Sequence, residues 1–110
     1  MQVLSKTPSG KVLTTSELVA YQEEAVVSRT LSQTKNGTVT VFAFDEGQGL
    51  SEHTAPFDAM AFILEGEAQV TIQEKEHLLK AGEMIIMPAN QPHSLVALKK
   101  FKMLLVMIRS

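Results

Sequence analysis

Short apolar stretches, interrupted by turn-forming residues every ~8–12 positions, run through this chain. Within the stretches, β-branched, aromatic and aliphatic residues recur with the alternation of strands that bury one face. The longest apolar runs, Met103 to Ile108 among them, are far shorter than the ~20 residues of a membrane-spanning helix. The sequence therefore predicts an all-β sandwich or barrel of roughly nine strands, and not alternating β–α units.

The clearest local signal is Asn36-Gly37, the dipeptide preferred in two-residue hairpin turns. It predicts that residues 25–32 pair with residues 38–45. Further strands are predicted at 50–55, 59–64, 67–72, 84–87, 93–98 and 101–108. The residues Thr14 to Ser16 are suitable helix caps, so one short N-terminal helix is predicted at 15–21.

Composition and charge indicate how many domains the chain forms and which classes of partner it can bind. The 110 residues, 45% of them hydrophobic, are enough for one domain spanning residues 1–110. The formal net charge is −2 and no basic run occurs, which removes the electrostatic basis for binding nucleic acid or an anionic membrane. The absence of cysteine and of an apolar targeting region leads us to expect a cytoplasmic protein.

Two glycine-bounded segments, at 47–66 and 82–97, carry the most specific pattern. The first reads Gly47-x5-His53-x-Ala55-x3-Ala59-x6-Gly66, and the second reads Gly82-x5-Pro88-x-Asn90-x2-His93-x3-Ala97. They resemble the paired motifs of the cupin superfamily, G-x5-H-x-H-x3/4-E-x6-G and G-x5-P-x-G-x2-H-x3-N. The resemblance implies a cupin-type antiparallel β-barrel, also called a jelly roll or double-stranded β-helix, of the small single-domain kind.

The same resemblance bears on metal binding. In cupins that bind metal, the first motif supplies two histidines and a glutamate, and the second supplies a third histidine. Here His53 and His93 match the first and last histidine, whereas Ala55 and Ala59 stand at the other two positions. Two ligands are fewer than the three that catalytic zinc and iron sites have. A divalent transition metal at His53 and His93 would need a further ligand, for which Asp58 is a weak candidate because alternation predicts that it faces the opposite side.

Motif position and alternation predict that eight residues face the barrel interior. They would form an apolar pocket with two imidazoles, which is the usual composition of a small-molecule site. The alternative is that the two histidines are remnants of the motif, bonded to each other or to the backbone. A third histidine, His77, is predicted on the solvated surface. The predicted pocket residues are His53, Ala55, Ala59, Ala61, Ile63, His93, Leu95 and Ala97.

Three functions are compatible with this pattern. The first is a barrel that binds a small, largely apolar or neutral molecule, because no cluster of Arg or Lys is predicted to point inward. The second is a cupin enzyme of the oxygenase or isomerase type that uses His53 and His93, either through a metal or as acid and base. The third is a structural or assembly role.

The outer surface leads to a prediction about assembly. Residues 25–32 and 101–108 carry apolar side chains on both strand faces, which is more than one barrel interior can bury. An apolar patch of that size usually marks an interaction site. We therefore expect a homodimer formed through an outer sheet face.

Overall fold

A computed structural model describes residues 8–109, which form two facing antiparallel sheets. The sheets have the strand orders β1-β2-β9-β4-β7 and β3-β8-β5-β6. This architecture confirms the predicted all-β, cupin-type barrel. The strands are β1 (Val26–Thr34), β2 (Gly37–Phe44), β3 (Gly49–His53), β4 (Asp58–Glu65), β5 (Glu67–Ile72), β6 (Lys75–Lys80), β7 (Met84–Met87), β8 (His93–Ala97) and β9 (Phe101–Ile108).

The predicted N-terminal helix is shorter than expected. A single 3-10 turn covers Thr15–Glu17, and the chain leaves it at Leu18. The reason is tertiary packing, because Val19 is buried against Val27 and Val41 on the outside of the larger sheet. Across residues 8–109, no helix combines the length and the apolar character that crossing a membrane would require.

Alternation along the strands determines where the core lies. In β2, Phe42 and Phe44 point between the two sheets, while Val41 and Ala43 point outward beneath the segment that contains Val19. The Phe44 ring stacks on Phe101, with 4.5 Å between ring centroids and 6° between ring planes. The end of β2 is thus buried on both faces, as its sequence predicted.

The first hairpin turns one residue earlier than Asn36-Gly37 suggested. The turn is formed by Lys35 and Asn36, and Gly37 already pairs with Ile108 of β9. A Cβ atom at Gly37 would overlap the carbonyl oxygen of Met107. This glycine is therefore explained by the close approach of β9 and not by the turn itself.

The turn between β5 and β6 uses residues that are poorly suited to it. Gln73 and Glu74 both have positive φ angles, 48° and 67°, in a hairpin turn that usually contains Asn or Gly. The sequence signal was weak here for that reason. The register of the flanking strands, from Ile72–Lys75 to Glu67–Lys80, holds the turn in place.

Replacing Glu74 by glycine should raise the free energy of unfolding by about 0.5–1 kcal/mol, because glycine adopts a positive φ without a Cβ clash. Lys75→Gly is the matched control, one position later in β6, where glycine is unfavourable and should lower stability by a similar amount. Urea denaturation of both variants measures the difference. Destabilisation by Glu74→Gly would contradict the left-handed geometry of this turn.

Replacing Phe44 by alanine should lower the free energy of unfolding by about 3–5 kcal/mol, because it removes a fully buried ring and leaves a cavity beside Phe101. Phe62→Ala makes the same chemical change on the outer face of β4, where the side chain is only half-buried. Chemical denaturation should show a clearly smaller loss for Phe62→Ala. Equal losses would contradict a core centred on the inner faces.

Candidate functional site

Two histidines lie side by side where β3 ends and β8 begins. His53 is the last residue of β3 and His93 is the first of β8, and the two are paired across the strands. Their ring centroids are 4.4 Å apart, with the rings at 70° in an edge-to-face arrangement. Strand pairing thus brings together two imidazoles from separate motifs.

Each imidazole is held by a backbone carbonyl two residues before it. The Nδ1 atom of His53 is 2.7 Å from the carbonyl oxygen of Ser51, and that of His93 is 3.1 Å from the oxygen of Gln91. A carbonyl oxygen only accepts hydrogen bonds, so Nδ1 is the protonated nitrogen in both rings. The free lone pair of each neutral ring therefore lies on Nε2.

The two histidines differ in exposure. His53 is exposed, whereas His93 is only 5% exposed. Burial lowers the pKa of His93 below its usual value, and the charge that His53 can carry lowers it further. The hydrogen bond to the Gln91 carbonyl raises the pKa, but it does not offset these two effects. At neutral pH the buried imidazole is therefore uncharged.

The histidines belong to a row of paired residues that crosses the mouth of the barrel. His53, His93, Ile72 and Lys75 are in register across β3, β8, β5 and β6. Ile72 faces inward and packs on the core. Because paired residues point to the same side of a sheet, the other three face inward as well.

The facing sheet contributes a corresponding row. It contains Met87, Ala59, Met107 and Thr38, in register across β7, β4, β9 and β2. Within residues 8–109, the Thr38 hydroxyl oxygen is buried without a hydrogen-bond partner. The mouth therefore combines apolar walls with a few polar groups, one of them unsatisfied.

The predicted pocket residues divide into two groups. Ala55 lies in the loop after β3, half-buried, and its carbonyl accepts a hydrogen bond of 2.8 Å from the Asn90 amide in the turn before His93. The other apolar members are buried in the core cluster together with the phenylalanine rings of β2 and β9. These members are Ala59, Ala61, Ile63, Leu95 and Ala97. The two histidines and Ala55 thus lie at the rim, and the remaining five lie in the packed interior.

The residues present do not fit the metal site that the family resemblance implies. Ala55 and Ala59 supply no ligand atoms, and Ala59 is buried in the core. Asp58 is exposed, and its carboxylate accepts a hydrogen bond of 3.0 Å from the amide of Ala89. Among the residues that the structure describes, no group of three or more His, Cys, Asp or Glu side chains is arranged to hold a metal ion.

His77 is more buried than the solvated surface position that the sequence predicted. It pairs with Val70 and so shares the inner face of its sheet, and it is half-buried. It lines a surface pocket of about 430 Å³ with Ile72 and Ile85, between β6 and β7. One sequence signal could have placed His77 on the inner face, because His77 lies two residues before the apolar Leu79, which is buried.

A second polar cluster lies at the opposite end of the barrel. Burial, and then the charge and hydrogen bond of Glu65, raise the pKa of Tyr21 to about 12. The Lys102 ammonium is 3.4 Å from Glu65, 2.6 Å from the Ser16 carbonyl oxygen and 4.9 Å from the centre of the Tyr21 ring. These contacts fasten the segment before β1 to the sheet, which is a structural role.

The lowered pKa of His93 predicts a pH-dependent stability. The unfolded chain binds a proton at this position near pH 6.5, whereas the folded protein resists it until a lower pH. The contribution of neutral His93 to the free energy of unfolding should therefore be complete above about pH 6.5. It should be lost progressively as the pH falls below that value. The free energy of unfolding, measured by urea denaturation at several pH values, should depend less steeply on pH in His93→Gln than in the wild-type protein. An unchanged slope would contradict a buried, neutral His93.

Comparisons with known proteins agree with this architecture. The family model of the cupin domain, Cupin_2, matches residues 40–109. A conserved protein of unknown function from Streptococcus pyogenes is 37% identical, with a TM-score of 0.91 over 100% of this chain and 96% of its own. A cupin superfamily protein from Desulfitobacterium hafniense is 27% identical, with a TM-score of 0.89 over 97% of this chain and 98% of its own.

A cupin 2 conserved barrel domain protein from Leptotrichia buccalis is 36% identical, with a TM-score of 0.82. The match covers 86% of this chain and 46% of that protein. No curated protein matches the sequence. The family match extends over more than half of the residues, and the similarity to the streptococcal protein extends over all of them. The chain therefore belongs to the cupin family, as a small cupin-2 domain protein.

Proposed function

We propose that this cupin binds a small neutral molecule at the mouth of the barrel, through the Nε2 atoms of His53 and His93. The observation that carries the proposal is the pair of Nδ1–carbonyl hydrogen bonds, which leaves two acceptor nitrogens on rings 4.4 Å apart. Such a pair suits a ligand that donates hydrogen bonds, such as a hydroxyl compound.

The surroundings favour a largely apolar ligand body. Ile72 and Met107 lie in the two rows that line the mouth, and the imidazole of His93 is kept neutral by burial. A fixed negative charge on the ligand would gain nothing from two acceptor nitrogens and would lose hydration, and Lys75, the cation at the end of the same row, is exposed to solvent. Because the interior beyond the mouth is occupied by packed side chains, the ligand would sit at the rim and not deep in the barrel.

The same lone pairs also support the alternative of a cupin enzyme that uses His53 and His93. Neutral imidazole nitrogen is the commonest protein ligand for transition metals, so an ion held by His53 and His93, with ligand or solvent atoms completing its coordination, would give a metal-dependent cupin. An acid–base enzyme would use the same two groups. The third hypothesis, a structural or assembly role, requires that the pair bind nothing.

Phenol and benzoate are matched probes, because they share an aromatic ring but differ in hydrogen-bond donation and charge. Phenol should shift the Nε2 resonances of both histidines in ¹⁵N NMR spectra, and benzoate should not. His53→Phe keeps an aromatic ring but removes the acceptor, so it should weaken phenol binding about 2–10-fold, the loss expected for one hydrogen bond of ~0.5–1.5 kcal/mol. His77→Phe is the control and should leave phenol binding unchanged.

Native mass spectrometry with added Zn²⁺ separates the alternatives. One-to-one Zn²⁺ uptake that is lost in both His53→Phe and His93→Gln would favour the metal-dependent hypothesis over the neutral ligand. Benzoate binding in preference to phenol would overturn the proposed ligand class. If neither phenol nor Zn²⁺ perturbs the two histidines, the binding proposal fails and the structural role is favoured.

A further inference from the structure

A cleft runs along the seam where the two sheets end beside each other. β6 is the last strand of the smaller sheet and β7 is the last strand of the larger sheet, and across residues 8–109 no strand pairing joins them. The cleft in this seam is the pocket of about 430 Å³ that contains His77. That volume lies within the ~300–1,000 Å³ of typical small-molecule sites. We call it the His77 cleft, and its walls include Ile72, Lys75, His77, Ile85 and Pro88.

The His77 cleft combines apolar walls with an imidazole that has no partner in the described chain. Ile72 and Ile85 belong to the inner faces of the two sheets and pack on the core. His77 is half-buried and turns to the same side because it pairs with Val70. Within residues 8–109, neither nitrogen of its ring has a hydrogen-bond partner. Because partly buried polar groups are stabilised when they are hydrogen-bonded, this imidazole is suited to a polar atom of a ligand.

The cleft is continuous with the mouth of the barrel. Ile72 lines the cleft and also pairs with His93 across β5 and β8. The Gln73 amide, beside Ile72, donates a hydrogen bond of 3.0 Å to the carbonyl oxygen of Pro92, the residue before His93. At the opposite end of the seam, the amide of Gly82 in the turn between β6 and β7 donates a hydrogen bond of 2.9 Å to the backbone of β4. The seam is therefore closed at that turn and opens toward the mouth.

We propose that the ligand bound by His53 and His93 is elongated and extends along Ile72 into the His77 cleft, where a second neutral polar group bonds to His77. This rests on the proposed function, because the same molecule would occupy both places. Two strand spacings of ~4.8 Å and one two-residue step of ~6.8 Å separate His93 from His77, which is ~12 Å on the diagonal. A phenol ring that carries a four-carbon chain has a comparable length.

The chemistry of the cleft favours a neutral group at the far end of the ligand. Lys75 is the cation in the cleft wall, but it is exposed, and an ion pair at an exposed site contributes little to binding. His77 is the more buried of the two, and in its neutral form it offers one hydrogen-bond donor and one acceptor. A hydroxyl group can use either of them. The ligand class is thus a molecule with a hydroxyl at each end and an apolar body between them.

Phenol and 4-butylphenol are matched probes of the apolar body, because they differ only in the chain. NMR titration of the full chain follows the Nε2 resonances of His53 and His93 and the methyl resonances of Ile85. Each buried methylene tightens binding about fourfold, so 4-butylphenol should bind at least ~10-fold tighter than phenol and should shift the Ile85 methyl resonances. Ile85→Ala should reduce this gain. Leu78→Ala is the control, because Leu78 is 54% exposed on the outer side of β6, and it should leave the gain unchanged.

A second pair of probes tests the far end of the ligand. 4-(4-Hydroxybutyl)phenol adds a terminal hydroxyl to 4-butylphenol. His77→Phe keeps an aromatic ring but removes both hydrogen-bonding nitrogens, so it should weaken binding of the hydroxybutyl compound about 2–10-fold and should not weaken binding of 4-butylphenol. Equal effects on the two compounds would overturn the bond to His77. Tighter binding of 4-(4-hydroxyphenyl)butanoate than of the hydroxybutyl compound would overturn the neutral far end.

Failure of the elongated ligand is distinguishable from failure of the proposed function. If phenol shifts the resonances of His53 and His93 but 4-butylphenol binds no more tightly, the His77 cleft is not part of the site and only the elongated ligand is overturned. If phenol shifts those two histidines while 4-butylphenol shifts Ile85 alone, the cleft is a separate site, with the same consequence. If neither probe shifts the two histidines, the proposed function fails and the elongated ligand fails with it.

Discussion

Packing between the inner faces of the two sheets is the interaction on which the rest of this structure depends. The stacked rings of Phe44 and Phe101 occupy much of the space at one end, and small side chains such as Ala61 and Ala68 share the same cluster. Large and small side chains together fill an interior at the density that protein cores require. Ala59, at the position where metal-binding cupins carry a glutamate, is one of these core residues. A ligand of the kind proposed above would therefore bind at the mouth and not in the interior.

The sequence predicted the architecture well because the relevant signals are local. The alternation in 38–45 and the continuous apolar run at 59–64 are properties of single strands, and each was sufficient to identify its element. The pairing of His53 with His93 follows from motif positions that the family shares. The hairpin position was off by one residue, since Gly37 serves the approach of a strand that lies far away in sequence.

The remaining features depend on contacts between distant segments, which a single sequence does not encode locally. Alternation indicates that Leu95 and Ala97 face inward, but not that aromatic rings from β2 and β9 fill the space in front of them. His77 was assigned to the surface from its charged neighbours, whereas its pairing with Val70 turns it inward. The orientation of the two imidazole rings depends on backbone carbonyls, which no residue pattern reveals.

The way the imidazoles are oriented has an evolutionary consequence. In many histidine sites a neighbouring carboxylate side chain fixes the tautomer, and one substitution of that side chain alters the chemistry. Here the acceptors are the main-chain oxygens of Ser51 and Gln91, which every amino acid possesses. The side chains at these two positions can therefore diverge without changing which nitrogen is protonated. A deletion or insertion between 51 and 53, or between 91 and 93, would rotate a ring away from its acceptor. Lineages of this fold would then preserve the acceptor pair through loop length more than through residue identity.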